Sequence, residues 1–159
     1  MSKALLKSAF TVGLLVLLMS VPVYGASVNK SIKIDAGSES DGATSVNGSI
    51  TVGDGAVVTG ALRTVNGKVR IGDDARIEEA GTVNGGLTVG ENVTADGLET
   101  VNGAISVGEG SRIGGEIGAV NGRITLEKGA VAAADIGNVN GSIMLKGGEV
   151  GGDIKTVNG

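Results

Sequence analysis

The residue types that carry most protein chemistry are missing from this chain. Its 159 residues contain no His and no Cys, and the only Phe, Tyr and Pro (Phe10, Tyr24 and Pro22) lie within the first 25. Disulfides, Cys/His zinc sites, thiolate nucleophiles and Ser-His-Asp triads are therefore excluded. Downstream of residue 25 there is no ring on which a base or sugar could stack. What remains is amide, hydroxyl and carboxylate chemistry, and it recurs at fixed spacing. Asn47, Asn66, Asn84, Asn102, Asn121 and Asn140 each sit in a Val-Asn-Gly triplet. Stacked one above another, such amides can hydrogen-bond along a column, while Asn-Gly suits a left-handed backbone turn. Thr64, Thr82, Thr100 and Thr156 each precede an Asn by two residues. Facing outward, these Thr-x-Asn rows would form a flat candidate surface-binding face. Asp54, Asp73, Glu91 and Glu109 also share one position, before Lys128 reverses the sign. Their default is solvation in water, since GGEVGGDIK (147–155) has one suitable Asp but lacks the tandem partners of a calcium-binding nonapeptide site. The residues thus nominate no catalytic group, metal ligand, cofactor or small-molecule substrate.

The elements that must position these residues follow from the repeat. Val-Asn-Gly begins at Val46, Val65, Val83, Val101, Val120, Val139 and Val157, with a variant (Val-Asn-Lys) at Val28. Each interval is 18 or 19 residues, so residues 28–159 form seven units and a short stub. Counting that Val as position 1, position 5 holds Ile50, Val69, Leu87, Ile105, Ile124 and Ile143. Position 7 holds Val52, Ile71, Val89, Val107, Leu126 and Leu145, with mostly polar or Gly residues between. This is strand alternation. Further apolar residues recur at Val58, Ile77 and Ile113, and at Leu62, Leu98 and Ile117, after turns rich in Gly, Asp and Glu. A unit this short cannot bury an apolar row alone, so neighbours must stack and bury it together. The predicted fold is all-β, a single-stranded β-solenoid (β-helix) of about seven coils. Stacked at the ~4.8 Å spacing of strands, they make a rod on the order of 35 Å long.

Positions 1, 7 and 13 step by six (Val46, Val52, Val58), which resembles the hexapeptide repeat of left-handed β-helices. The large residue at position 5 and the 19-residue units depart from that family, and its acyltransferases depend on a histidine absent here. The strings RIGGEIGAVNGRITL (112–126) and EVGGDIKTVNG (149–159) more closely resemble bactofilins and the adhesin-type β-strand-repeat proteins of bacterial envelopes. That resemblance covers residues 28–159. It implies a right-handed solenoid serving as a scaffold or surface structure.

Residues 1–25 place Lys3 and Lys7 before an apolar stretch and a tail of smaller residues, the layout of a signal peptide. Cleavage after Gly25 puts Val23 at −3, so the processed chain is expected to begin at Ala26 and to be periplasmic or secreted. An uncleaved N-terminal membrane anchor is the alternative. Removing Lys3 and Lys7 leaves 11 basic against 17 acidic residues. An acidic chain without a basic stripe is a poor match for nucleic acid. Residues 26–45 lose their large apolar groups after Ile34 and read as a polar capping coil, with the solenoid repeats spanning 46–159. At the other end Ile154, Val157 and Asn158 lie in a coil without a polar cap, the candidate self-association surface of a homo-oligomer. The functional expectation is an exported, non-enzymatic structural or adhesin-like element; the alternative is an ice- or surface-binding solenoid using the Thr-x-Asn rows.

Overall fold

The computed structural model describes residues 28–159, so the expected signal peptide (1–25) and the first two residues of the capping coil lie outside the described residues. From Val28 the chain winds into a β-solenoid of seven coils, without a helix among the described residues. Each coil gives one strand to each of three sheets, and every pairing within the seven-stranded sheets is parallel. In the fifth coil, for example, the strands are Ile105–Val107, Arg112–Ile113 and Ile117–Asn121.

The apolar alternation sets the register. Position 5 stacks as Ile32, Ile50, Val69, Leu87, Ile105, Ile124 and Ile143 in the first sheet, with position 7 stacked beside it. Sliding a strand by one residue would turn both rows to water, so the pattern admits one pairing. The turn into the second sheet places its left-handed residue at the same point in successive coils: Gly55 (φ 65°), Asp74 (56°), Asn92 (55°) and Gly110 (67°). Glycine, Asp and Asn are the residues that accept this conformation at least cost.

The interior also shows size compensation. Ile77 on the second sheet is followed by Ala80 on the third, whereas Ala95 is followed by Leu98 and Ala132 by Ile136, all buried. In these three coils a large residue is matched by a small one, which fills the cross-section without forcing rotamers, whereas in the fifth both Ile113 and Ile117 are large and buried. Each fully buried Ile or Leu contributes about 1.5–3 kcal/mol.

Variation in unit length falls at two corners. Between the second and third sheets, Thr59–Gly60–Ala61 link Val58 to Leu62, but only Glu78 and Glu79 link Ile77 to Ala80. The seventh coil shortens the preceding corner instead, between Leu145 and Glu149. The sheets stay in step because the extra residue never enters a strand.

The first coil is polar where later coils are apolar: Glu39 and Ser40 pair with Val57 and Val58, and Ala43 with Leu62. In the seventh, Leu145 is 41 % and Ile154 49 % exposed.

Candidate functional site

The side chain of every Val-Asn-Gly asparagine enters one ladder along an outer corner. From Asn47 to Asn158, each Nδ2 donates to the Oδ1 of the Asn one coil below at 2.8–2.9 Å, ending on Asn29. The ladder has a direction, since donors all point toward the first coil. Asn29 and Asn158 are its end rungs, continuing the column formed by Asn47, Asn66, Asn84, Asn102, Asn121 and Asn140. The following glycine has a different physical reason from the expected left-handed turn. Among these glycines only Gly141 has a positive φ, of 146°. A Cβ at Gly48, Gly67, Gly85, Gly103, Gly122 or Gly141 would instead approach the carbonyl oxygen one coil below closer than 3.0 Å. Close stacking of backbones, rather than turn conformation, requires glycine there.

The expected outward Thr-x-Asn rows are corrected. Thr64, Thr82 and Thr100 are buried, at 2 %, 1 % and 0 % exposure. Their Oγ1 atoms donate to the carbonyls of Gly48, Gly67 and Gly85 at 2.7–3.0 Å. Each Thr lies two residues after an inward apolar residue, as Thr64 follows Leu62, so strand alternation carries it inside; the chain then bends and the Asn emerges outside. Thr156, in the seventh coil, is exposed. Ser45, Ala119 and Asn138 occupy the same internal column. Asn138 keeps the bond to the carbonyl, with Nδ2 2.8 Å from Gly122 O, but its Oδ1 is buried without a partner. The step of six from Val46 does not mark one face, because Val52 and Val58 are buried while Val46 is 36 % exposed.

The three outer faces differ. The first carries Lys33, Thr51, Arg70, Thr88, Ser106, Thr125 and Met144 in one row. On the third, the equivalent row is Thr44, Arg63, Gly81, Glu99, Gly118, Gly137 and Lys155. Its glycines leave a recess, and around Gly81 and Gly97 this becomes a cleft of about 260 Å³ bordered by Arg63, Glu79, Asp96, Glu99 and Glu116. Arg63 Nη2 lies 3.2 Å from Glu79 Oε2 and is mostly buried against this face. Burial, then the Glu79 carboxylate, push the Glu99 carboxyl from 4.5 up to about 7; Arg63 opposes this and Glu116 adds to it. Glu99 therefore gains or loses a proton near neutral pH. Sequence reasoning missed this group, because its environment depends on glycines one coil away on each side.

The acids expected to stand in water do so, and two also hold the backbone. Asp54 Oδ1 accepts from the Asp73 amide at 3.1 Å, and Asp73 Oδ1 from the Glu91 amide at 2.8 Å. No cluster of three metal-ligating side chains occurs among the described residues. Of the residues nominated for self-association, Ile154 is exposed, Val157 is half-buried and Asn158 is the last rung of the ladder. Compared with protein-family models, with curated proteins and with solved structures, the chain matches none.

Proposed function

We propose that the protein is an exported, non-enzymatic structural or adhesin-like rod of the bacterial envelope, wound right-handed like the bactofilin and adhesin-type repeat families that its strings resemble. The observation that carries this reading is the uninterrupted Asn ladder. Seven amide bonds, one per coil step, run beside three continuous sheets and tie every coil to the next. Such a body repeats the same outward groups at strand spacing, ~4.8 Å per coil, and favours many weak contacts over one deep site. In this reading the apolar stretch before Gly25 directs export and the processed chain starts at Ala26, in the periplasm or outside the cell. Copies associate through the seventh coil, where Leu145 and Ile154 expose apolar surface. The test is fractionation of expressing cells with N-terminal sequencing of the product, alongside sedimentation across a concentration range. Recovery from the envelope or medium with Ala26 first, and a dimer dissociating on Ile154→Lys, is the expected result. Cytoplasmic recovery with Met1 retained refutes export, and a strict monomer refutes self-association.

A further inference from the structure

The first sheet turns two rows outward, at positions 4 and 6 of the unit, and stacking gathers charge that is scattered in the linear sequence. From the second coil to the sixth these rows hold Lys68, Arg70 and Arg123 and no carboxylate, in a chain with 17 acidic residues against 13 basic. The three cations are exposed, and none pairs with a carboxylate among the described residues. Most other positions in the two rows carry hydroxyls: Ser49, Thr51, Thr88, Ser106 and Thr125. The acids Asp54, Asp73, Glu91 and Glu109 stand at the corner beyond, each after a glycine at position 8, and Glu127 is engaged by Lys146 at 2.9 Å. The other faces mix the signs. On the second, Asp74 and Glu78 bracket Arg76, and the third holds the Glu99 cleft. Beside Arg123 the first face dips into a shallow groove of about 500 Å³ bordered by Ser106, Arg123, Thr125 and Ser142. Thr125 is only 8 % exposed, yet it lines this groove and its hydroxyl makes no hydrogen bond among the described residues. Arg123 Nε donates to Ser142 Oγ at 3.3 Å, which holds the guanidinium across two coils and leaves its Nη groups to meet a carboxylate.

We propose that this face binds a carboxylate-bearing polysaccharide laid along the rod. Lys68 and Arg70 lie three coils from Arg123, about 14 Å at the strand spacing. A single small anion cannot reach both points, whereas a polymer with charge on successive units can. The hydroxyls between them, Thr88 and Ser106, and the Thr125 hydroxyl in the groove have hydrogen bonds to give to a polyol. Duplex nucleic acid has the charge, but its grooves admit a helix or a two-stranded ribbon and not a flat sheet face. Single strands are held by stacking on rings, and the face has none. An acidic peptide supplies carboxylates without the hydroxyls. Polysaccharide binding deepens the adhesin-like reading and rests on it for where the protein meets the polymer.

The experiment is calorimetric titration of the protein, purified as the host processes it, with polygalacturonate, hyaluronate, neutral dextran, polyglutamate and duplex DNA. Far-ultraviolet dichroism checks that each variant keeps its β content. The two acidic polysaccharides are expected to bind, more weakly as salt rises from about 0.05 to 0.3 M, with dextran inert and polyglutamate and DNA weaker. Arg123→Ser, and Lys68→Ser together with Arg70→Ser, should each weaken polygalacturonate binding on the order of fivefold. Thr125→Val, which keeps the shape and removes the hydroxyl, should weaken it about threefold. Arg112→Ser on the second face makes the same change in net charge and should leave binding unaltered. Binding to neither acidic polysaccharide would overturn the proposal, as would polyglutamate or DNA binding equally well. So would an Arg112→Ser loss matching that of Arg123→Ser, because net charge and not this face would then be responsible. Cytoplasmic recovery of the protein refutes export and leaves the titration standing, so the two failures are distinguishable.

Discussion

Glu99→Gln should make the protein more stable at neutral and alkaline pH, by an amount that vanishes in acid. The folded-state carboxyl titrates at about 7, against 4.5 for the ordinary group. Between those values the folded protein holds a proton that the unfolded chain has released, so stability falls as pH rises through that window. Below it the carboxyl is protonated in both states and costs nothing; above it the full cost of a crowded, half-buried anion applies. A gap of about 2.5 pH units at about 1.36 kcal/mol each sets a ceiling near 3 kcal/mol. Glu99 remains partly open to solvent, and screening reduces this to on the order of 1–2 kcal/mol. Glutamine keeps the shape and removes the ionisation. Denaturant unfolding, followed by far-ultraviolet dichroism from pH 4.5 to 8, should show the variant and the natural protein diverging as pH rises, with the variant more stable. Parallel curves over this range would refute the reasoning, because they would mean that Glu99 ionises in the fold as easily as in the unfolded chain.

Gly122→Ala should destabilise the rod by several kcal/mol although alanine is an ordinary strand residue. Its Cβ would overlap the Gly103 carbonyl, and relief requires separating two backbones; urea midpoints and proteolysis between the fifth and sixth coils would register it. Asn138→Thr should stabilise by about 1 kcal/mol, since threonine retains a donor for the Gly122 carbonyl and removes the orphaned Oδ1. An unchanged or lower melting temperature for that variant would mean that the buried oxygen is not a burden.

The fold was legible because two independent periodicities agree. The Val-Asn-Gly spacing gives the coil length, and alternation at Ile50, Val52 and their counterparts gives the strand face. The Asn column followed from the same count. The Thr column was misread because hydroxyls were taken as surface groups. Yet Leu62-x-Thr64 and Leu98-x-Thr100 already carry the inward alternation, and a carbonyl at each Gly satisfies the buried hydroxyl. The glycine of the triplet was assigned to backbone conformation when its cause is contact between coils, which one unit read alone does not reveal. The recess beside Glu99 was hidden for the same reason. It exists because Gly81 and Gly118 flank that residue in space, and their alignment depends on corners of unequal length.

Those unequal corners have a practical consequence. Linking Ile77 to Ala80 with two residues and Val58 to Leu62 with three leaves the strands on either side in register. This is the behaviour of a splice point indifferent to its insert. Since closing a longer loop costs only about 0.6 kcal/mol per doubling of its length, foreign peptides grafted between Gly60 and Ala61 or between Gly115 and Glu116 should be carried as side branches. Grafts in adjoining coils would protrude at intervals of one strand spacing, about 4.8 Å, which makes the scaffold a molecular ruler for arraying epitopes.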